Sequence, residues 1–266
     1  FYGKSSHAAF APEVGRSALD AVELMNVGVN YLREHVTSKA RIHYTTDSGG
    51  FSPNIVPPRA GSWYFVRAPH ISEVKEILER VRKVAEGACL MTETSMEMKI
   101  DYGCCELLEN HAYADLAYEN LKEAKLPSYT EEELAFASKL EDTLSGETVE
   151  NARKLYDTEG LPLAMKVGIR DLYQRNPLTA SSDSGDVSYI MPMCLISTVC
   201  WPAAVSPHTW QASASAGSSI GEKGALSAAR VMAGIAYDLY QSSEIREKIL
   251  EEFREKKVDY RPMYEE

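Results

Sequence analysis

Long apolar runs and basic patches are both missing from this sequence of 266 residues. No stretch approaches the roughly 18 consecutive apolar residues that a membrane-spanning helix needs. Lysine and arginine number 28 against 39 aspartates and glutamates, which gives a formal net charge of -11. Because nucleic-acid-binding domains carry clustered basic residues, we expect neither nucleic acid nor a membrane as a partner.

Cysteine is scarce, and its spacing shows no pairing. The sequence contains five cysteines and no Cys-x-x-Cys motif: Cys89, Cys104, Cys105, Cys194 and Cys200. Zinc sites and disulfide frameworks normally show cysteines in even number at short, regular spacings. We therefore interpret these residues as reduced side chains of a cytoplasmic protein.

The first part of the chain alternates between strand-like and helix-like patterns. Four segments favour strands and two favour helices: residues 1–9, 41–46, 61–68 and 95–102 for strands, and 16–36 and 71–91 for helices. Strand, helix, strand, strand, helix, strand is the order of a ferredoxin-like βαββαβ sandwich. We predict such an α+β domain over residues 1–106.

The second part, residues 107–266, is dominated by helical patterns. Five segments favour helices: 111–124, 130–144, 148–156, 222–240 and 243–257. Two further segments, 186–191 and 194–199, are apolar enough to be buried strands. Two or three strands do not complete an α/β sheet, so we expect the remaining strands to precede Phe1 in a longer protein. The predicted class is α/β, with an incomplete α/β domain at 107–266.

Three places in the sequence carry residues that could do chemistry. His7 stands among small residues after an extended segment, and a hydrogen-bonded strand histidine is the plain alternative to a catalytic one. The segment 181–188 is rich in Ser, Asp and Gly, which fits a turn as well as a ligand loop, and no Gly-x-Ser-x-Gly surrounds its serines. His208 follows an apolar segment, where an imidazole could bind a metal, but a zinc site needs at least three protein ligands.

Taken together, these segments resemble one enzyme family. Five motifs show the resemblance. In the first part of the chain they are Gly-Lys-Ser-Ser-His-Ala-Ala at residues 3–9 and Asn-Ile-Val-Pro at 54–57. In the second part they are Ser-Ser-Asp-x-Gly-Asp-Val-Ser at 181–188, His-Thr-Trp-Gln at 208–211 and Gly-x-Ser-x-Gly-x-Lys-Gly at 217–224. The chain is similar over nearly its whole length to the C-terminal portion of metal-dependent amidohydrolases and peptidases with an inserted dimerisation lid. This family includes aminoacylases, carboxypeptidases and desuccinylases.

The resemblance implies a role for four residues. His7 would be the lid histidine that stabilises the oxyanion in the partner subunit's site, and Asn54 and Arg67 would contact substrate, Arg67 through a carboxylate. His208 would be the last metal ligand. The family's other ligands, a His-x-Asp pair, a bridging aspartate and a Glu-Glu pair, lie upstream of the lid and outside this chain.

The function that this resemblance implies is hydrolysis of N-acyl or N-aroyl amino acids such as aminobenzoyl-glutamate. Two divalent metals, zinc or manganese, would serve the full-length enzyme, and this chain alone would hold neither stably and would be inactive. Residues 1–106 would be the lid through which a homodimer forms, and 107–266 would belong to the catalytic domain. Two alternatives remain open: a non-catalytic dimerisation or interaction module, and a ferredoxin-like small-molecule sensor with a helical tail.

Overall fold

The structure is a computed structural model that describes residues 1–168 and 181–263. The chain divides into two compact units. The first unit comprises Phe1–Glu106, Ser181–Asp186 and the described residues of Arg261–Glu266. The second unit comprises the described residues of Leu107–Ala180 and Val187–Tyr260. Within the described ranges, no helix combines the length and the apolar character that crossing a bilayer requires. That the chain folds as separate domains divided at 106/107 stays a prediction.

Two helices and one hairpin form the first unit. Helix α1 spans Ala18–Leu32 and helix α2 spans Ile71–Thr92, as the apolar spacing predicts. Strand β1, Arg41–Ser48, pairs antiparallel with strand β2, Gly61–Arg67. One face of the hairpin packs on both helices, and its core contains nine buried residues: Met25, Val29, Leu32, Ala40, Ile42, Ile77, Val81, Ala85 and Ala88.

The two helices of this unit begin in different ways. The Ser17 hydroxyl accepts the N–H of Asp20 at 3.1 Å and caps α1. Helix α2 has no cap from its own sequence, and the Glu106 carboxylate accepts the Ile71 N–H at 2.9 Å and contacts His70 Nδ1 at 3.0 Å. Burial alone would raise the pKa of Glu106, but these hydrogen bonds lower it. The end of the unit thus secures the start of α2.

The predicted strand at residues 1–9 forms only isolated bridges. Tyr2 pairs with Arg59 and with Ser95, and His7 pairs with Ile55. A continuous ladder along this segment would need N–H donors from Pro57 and Pro58, which proline lacks. The extended course of residues 1–8 is therefore as predicted, but the first strand of the βαββαβ order is wrong as a regular element.

The predicted strand at 95–102 is also absent as a ladder in the described structure. Its alternation is real, because Met96, Met98 and Ile100 are half-buried while Glu97 and Lys99 are exposed. After the Ser95 bridge to Tyr2, no further pairing follows among the described residues. The segment has the burial pattern of a strand without a neighbour to bond, so the βαββαβ topology is not confirmed and the sheet has two strands.

The second unit is helical in its described part. Its helices, in chain order, are α3 His111–Glu123, α4 Glu131–Glu141, α5 Gly146–Tyr156, α6 Ser184–Ile190 (which starts in the first unit), α7 Trp210–Ala216, α8 Ser219–Gln241 and α9 Ser243–Lys256. Helix α3 packs against α8 and α9. The Glu252 carboxylate of α9 accepts the N–H groups of His111 and Ala112 at 2.8 and 2.7 Å.

Two predicted strands of this part are wrong. Residues 186–191 fall mostly in helix α6, where the Ser182 hydroxyl accepts the Ser184 N–H at 3.1 Å and favours a helical start. Residues 194–199 form no strand; Cys194 and Ile196 pack beside Val231 of α8. An apolar run of this length fits a buried helix-packing segment as well as a strand. The expected incomplete α/β domain is therefore corrected to a helical arrangement in the residues described.

Candidate functional site

The structure brings two of the four candidate residues together. Residues 1–8 run antiparallel to residues 54–60, and His7 forms a bridge with Ile55. The Ala8 N–H donates to the Asn54 carbonyl at 2.9 Å, and the Val56 N–H donates to the Ser6 carbonyl at 3.0 Å. The backbones of His7 and Asn54 are thus neighbours although 47 positions separate them in the sequence.

The His7 ring is held in one tautomer. Its Nδ1 accepts the backbone N–H groups of Ala9 and Phe10, both at 3.2 Å, and the ring lies 4.5 Å from the Phe10 ring. A nitrogen that accepts hydrogen bonds carries no proton, so in the neutral ring the proton is on Nε2. His7 is exposed. The local turn therefore presents an Nε2–H donor to the surroundings.

Asn54 lies in the connection between β1 and β2. The Ser52 hydroxyl donates to Asn54 Oδ1 at 2.5 Å, which orients the amide and directs its NH2 group away from Ser52. Asn54 is exposed, and within the described part of the chain no group accepts from this NH2. The side chain is available to donate to a ligand, as the resemblance implies, and this role stays a prediction.

Arg67 lies at the opposite end of the hairpin. Ser48 faces Gly61 at the end where β1 and β2 connect, and Arg41 faces Arg67 at the other end. Six residue steps along β2 separate Gly61 from Arg67, about 20 Å at 3.3 Å per residue. Arg67 is exposed, and its guanidinium carbon lies 5.8 Å from the centre of the Phe65 ring. Within one protomer, Arg67 is therefore remote from Asn54.

His208 belongs to the second unit and has an unusual backbone. Its φ of 64° is in the left-handed region, which costs a non-glycine residue energy. Two other residues with such a φ, Glu93 and Asp157, end helices as C-caps, but His208 precedes Thr209, the N-cap of α7. The imidazole is exposed. Strained backbone of this kind is frequent at functional sites.

The described residues do not form a two-metal site by themselves. Residues 1–168 and 181–263 contain no group of three or more His, Cys, Asp or Glu side chains that could hold a metal ion. His208 has therefore no set of carboxylates or imidazoles around it there. The described ligand set is therefore too small to hold, without further ligands, the two metals that the resemblance implies.

The serine- and aspartate-rich segment at 181–188 packs closely against residues 104–106. A Cβ at Gly185 would lie 1.9 Å from the Cys105 carbonyl oxygen, so only glycine fits there. Burial, together with Asp186, raises the pKa of the Cys105 thiol to about 12. Cys105 is therefore a protonated thiol at neutral pH.

The segment 217–224 has a structural role that the sequence did not reveal. The carboxylate of Glu133, on α4, accepts from Lys223 Nζ at 2.6 Å, from the Ser219 hydroxyl at 2.6 Å and from the Thr130 N–H at 2.7 Å. These hydrogen bonds, that of Lys223 foremost, lower the pKa of Glu133 to about 2. Ser219 fits the spacing Gly-x-Ser-x-Gly, and its hydroxyl is one of the donors that hold the Glu133 carboxylate.

The glycine that ends this motif is required by packing. A Cβ at Gly224 would lie 2.3 Å from the Val199 carbonyl oxygen and 2.6 Å from Cys200 Sγ. The Thr198 hydroxyl donates to the Gly224 carbonyl at 2.9 Å. Helix α8 thus lies in direct backbone contact with residues 198–200. Lys223 and Gly224 of the motif together fix α8 to α4 and to those residues.

A cavity of about 830 Å³ opens between α4 and α5. Its wall includes Glu141 and Arg153, which form a largely buried ion pair. None of the four candidate residues lines this cavity. The candidate site therefore does not coincide with this cavity. Of the four candidate residues, the structure brings His7 and Asn54 together, on an exposed surface.

Comparison with known proteins gives the chain its relatives. Residues 1–91 match the family described as peptidase dimerisation domain. Over 268 residues the chain is 37% identical to a subunit of p-aminobenzoyl-glutamate hydrolase from Escherichia coli (strain K12), covering 96% of this chain and 56% of that one. It is 27% identical to the Xaa-Arg dipeptidase of Mus musculus, covering 96% of this chain and 50% of the relative.

The chain is also similar in part to a solved structure. The crystal structure of the aminobenzoyl-glutamate utilization protein from Klebsiella pneumoniae aligns with a TM-score of 0.41 and 24% identity, over 47% of this chain and 32% of that one. The chain spans about half the length of the curated relatives it matches. The resemblance that the sequence predicted, to amidohydrolases and peptidases with a dimerisation lid, is confirmed.

Proposed function

We propose that this chain, with the peptidase dimerisation domain at its start, forms part of a metal-dependent amidohydrolase that cleaves N-acyl or N-aroyl amino acids. Aminobenzoyl-glutamate is the substrate that the E. coli relative's name suggests. The observation that carries the proposal is the His7–Asn54 pair, whose backbones are neighbours and whose exposed side chains offer an imidazole Nε2–H and an amide NH2 as donors. Such donors stabilise the charge that develops on a carbonyl oxygen during amide hydrolysis.

In this proposal the chain's own residues bind and orient. His7 donates from Nε2 to the oxygen of the scissile amide as that oxygen becomes negative. Asn54 donates to the substrate near the same point, and Arg67 holds a substrate carboxylate with its planar guanidinium. Two divalent metals, zinc or manganese, would supply the activated water in the active enzyme, and His208 is the ligand that this chain would contribute.

The separation of Arg67 from Asn54 supports a two-subunit site. The rise from Gly61 to Arg67 is about 20 Å along β2, which is longer than an acyl-glutamate molecule, so we expect Arg67 and Asn54 of one protomer to be too far apart to hold one substrate. Two copies can, if the lid of one reaches the site of the other. A homodimer through the first unit therefore follows from the proposed roles, and a two-fold arrangement is the commonest for such pairs.

Hydrolysis of p-aminobenzoyl-glutamate tests the proposal. The full gene product is expected to release p-aminobenzoate, and metal analysis after dialysis is expected to find bound zinc or manganese. The 266-residue chain alone is expected to do neither, because the described residues supply His208 without a ligand set. A full gene product that hydrolyses neither aroyl- nor acyl-amino acids would favour the alternative of a non-catalytic dimerisation module.

Self-association through the first unit should depend on an apolar stripe of α1. Leu24, Val27 and Tyr31 lie on this helix at i, i+3 and i+7 and are all exposed. Introducing a charge with Val27→Glu is expected to shift a dimeric mass to a monomeric one in light scattering, because an unpaired charge in an apolar interface is costly. The control, Leu226→Glu on α8, changes an equally exposed residue and should leave the mass unchanged. A mass that is monomeric for the unmodified chain at all concentrations would contradict the prediction.

A further inference from the structure

The hairpin has a second face, which turns away from the helices and carries aromatic side chains. On β2, Trp63 and Phe65 point outward and are 50% and 37% exposed, and their rings lie 5.5 Å apart. Tyr102, 56% exposed, approaches Phe65 edge-on at 6.1 Å. We call Trp63, Phe65 and Tyr102 the aromatic face. Exposed rings grouped in this way commonly mark a binding surface.

One end of the aromatic face is positively charged. Arg41 and Arg67 stand directly opposite each other on the paired strands, both exposed. Arg41 donates to the carbonyls of Ser38 and Ala40, and Arg67 contacts the Phe65 ring. Within residues 1–168 and 181–263 no carboxylate pairs with either guanidinium. Like charges directly opposite in a sheet are unfavourable, and a bound anion would relieve this.

We propose that the aromatic face and its two arginines bind an aroyl amino acid, with the aromatic ring against Trp63 and Phe65 and the carboxylate at Arg67 and Arg41. Four residue steps from Trp63 to Arg67 span about 13 Å, which suits the length of such a molecule from ring to carboxylate. Charge complementarity favours an occupant with a carboxylate, because Arg41 and Arg67 make this end of the face cationic. The inference rests on the proposed function and names its substrate class.

The contribution of each group should be separable. A ring stacked on an aromatic pair gains binding energy beyond that of its buried area, so Trp63→Leu should weaken the binding of an aroyl ligand about fivefold. An aliphatic acyl group has no ring to stack and should bind Trp63→Leu as it binds the unmodified chain. Arg67→Gln removes a charge-assisted contact to the carboxylate common to both ligands and should weaken both about tenfold.

The experiment is a calorimetric titration of the full chain with p-aminobenzoyl-glutamate and with acetyl-glutamate. Trp63→Leu, Arg67→Gln and the control Tyr240→Leu are compared, since Tyr240 is an exposed aromatic residue far along α8. Loss confined to the aroyl ligand in Trp63→Leu, loss of both ligands in Arg67→Gln and no change in Tyr240→Leu would support the proposal. Circular dichroism of each variant checks that the fold is retained.

Three results would overturn the proposed binding of an aroyl amino acid. The first is that neither ligand binds at millimolar concentration, and the second is that Trp63→Leu binds the aroyl ligand as tightly as the unmodified chain does. The third is that Trp63→Leu changes the oligomeric mass while the unmodified chain binds neither ligand. The last result would make the face an interface between copies. Failure of the proposed function is distinct, because it would be seen as aroyl binding that depends on Trp63 without hydrolysis by the full gene product.

Discussion

His7→Ala is expected to lower kcat of the active enzyme about 10²–10³-fold, because one oxyanion donor is worth about 2.7–4 kcal/mol of transition-state stabilisation. The turn formed by Ala9 and Phe10 holds the ring with Nε2–H outward, so the alanine removes the donor without removing a core residue. Steady-state hydrolysis of p-aminobenzoyl-glutamate measures the loss. KM should change little, since the donor acts mainly in the transition state.

His35→Ala is the matched control, since His35 is another exposed histidine of the first unit and should retain full activity. Mixing the His7→Ala enzyme with a His208→Ala enzyme adds a second test. If His7 completes the partner's site, a mixed dimer contains one intact composite site and recovers part of the activity. Wild-type turnover of His7→Ala would leave His7 as a hydrogen-bonded histidine of the extended segment. Exchange of subunits without recovery would place its action within its own protomer.

Glu133→Gln should destabilise the chain by about 2–3 kcal/mol. The substitution leaves the ammonium of Lys223 without its carboxylate and weakens the hydrogen bonds from Ser219 and Thr130. Breaking a fully buried pair costs about 3–5 kcal/mol, and the smaller value reflects the 30% exposure of the Lys223 side chain. Urea unfolding followed by circular dichroism measures the change. Glu132→Gln, one residue earlier and exposed, should cost nothing measurable, and equal stabilities of the two variants would disprove the role of Glu133.

The same carboxylate predicts how stability depends on pH. The folded-state pKa of Glu133 is about 2, against an ordinary value of 4.5, so the unfolded chain binds the proton more readily. The stabilisation is complete above about pH 5 and is lost as the pH falls towards 2. Glu252 acts in the same direction: burial would raise its pKa, but hydrogen bonds from Lys256, Ala112 and His111 lower it to about 2. In Glu133→Gln the loss of stability between pH 5 and pH 2 should be smaller.

Local patterns predicted much of the fold because their causes are local. Helices α1, α2, α8 and α9 follow from apolar spacing, and at the start of α4 Thr130 and Glu133 form a capping box. The sequence of residues 1–9 alone could not show that this segment forms isolated bridges and no continuous strand. The cause lies in the facing segment, where Pro57 and Pro58 lack the N–H groups that a continuous ladder needs. Residues 186–191 were misassigned because an apolar run has the same appearance in a short buried helix as in a buried strand.

The candidate site shows the same division. The resemblance of the sequence to a known family predicted which residues belong to the candidate site. It did not predict how these residues are arranged in space. No periodicity reveals that the Ala8 N–H meets the Asn54 carbonyl or that two backbone N–H groups fix the tautomer of His7. Likewise Lys223 and Glu133 are 90 positions apart, and only the packing of α8 on α4 explains why a lysine stands in the motif.

The left-handed backbone of His208 favours glycine, whereas a metal ligand or hydrogen-bond donor at this position requires a side chain. At a φ of 64° glycine is the residue that the backbone favours, and an L-residue is disfavoured there by about 1 kcal/mol or more. A histidine at this position therefore makes the free chain less stable than a glycine would. An ion or partner that binds the imidazole would stabilise this backbone conformation over its alternatives, so the segment before α7 should become more rigid when His208 is engaged. Slower amide hydrogen exchange there would report the engagement directly.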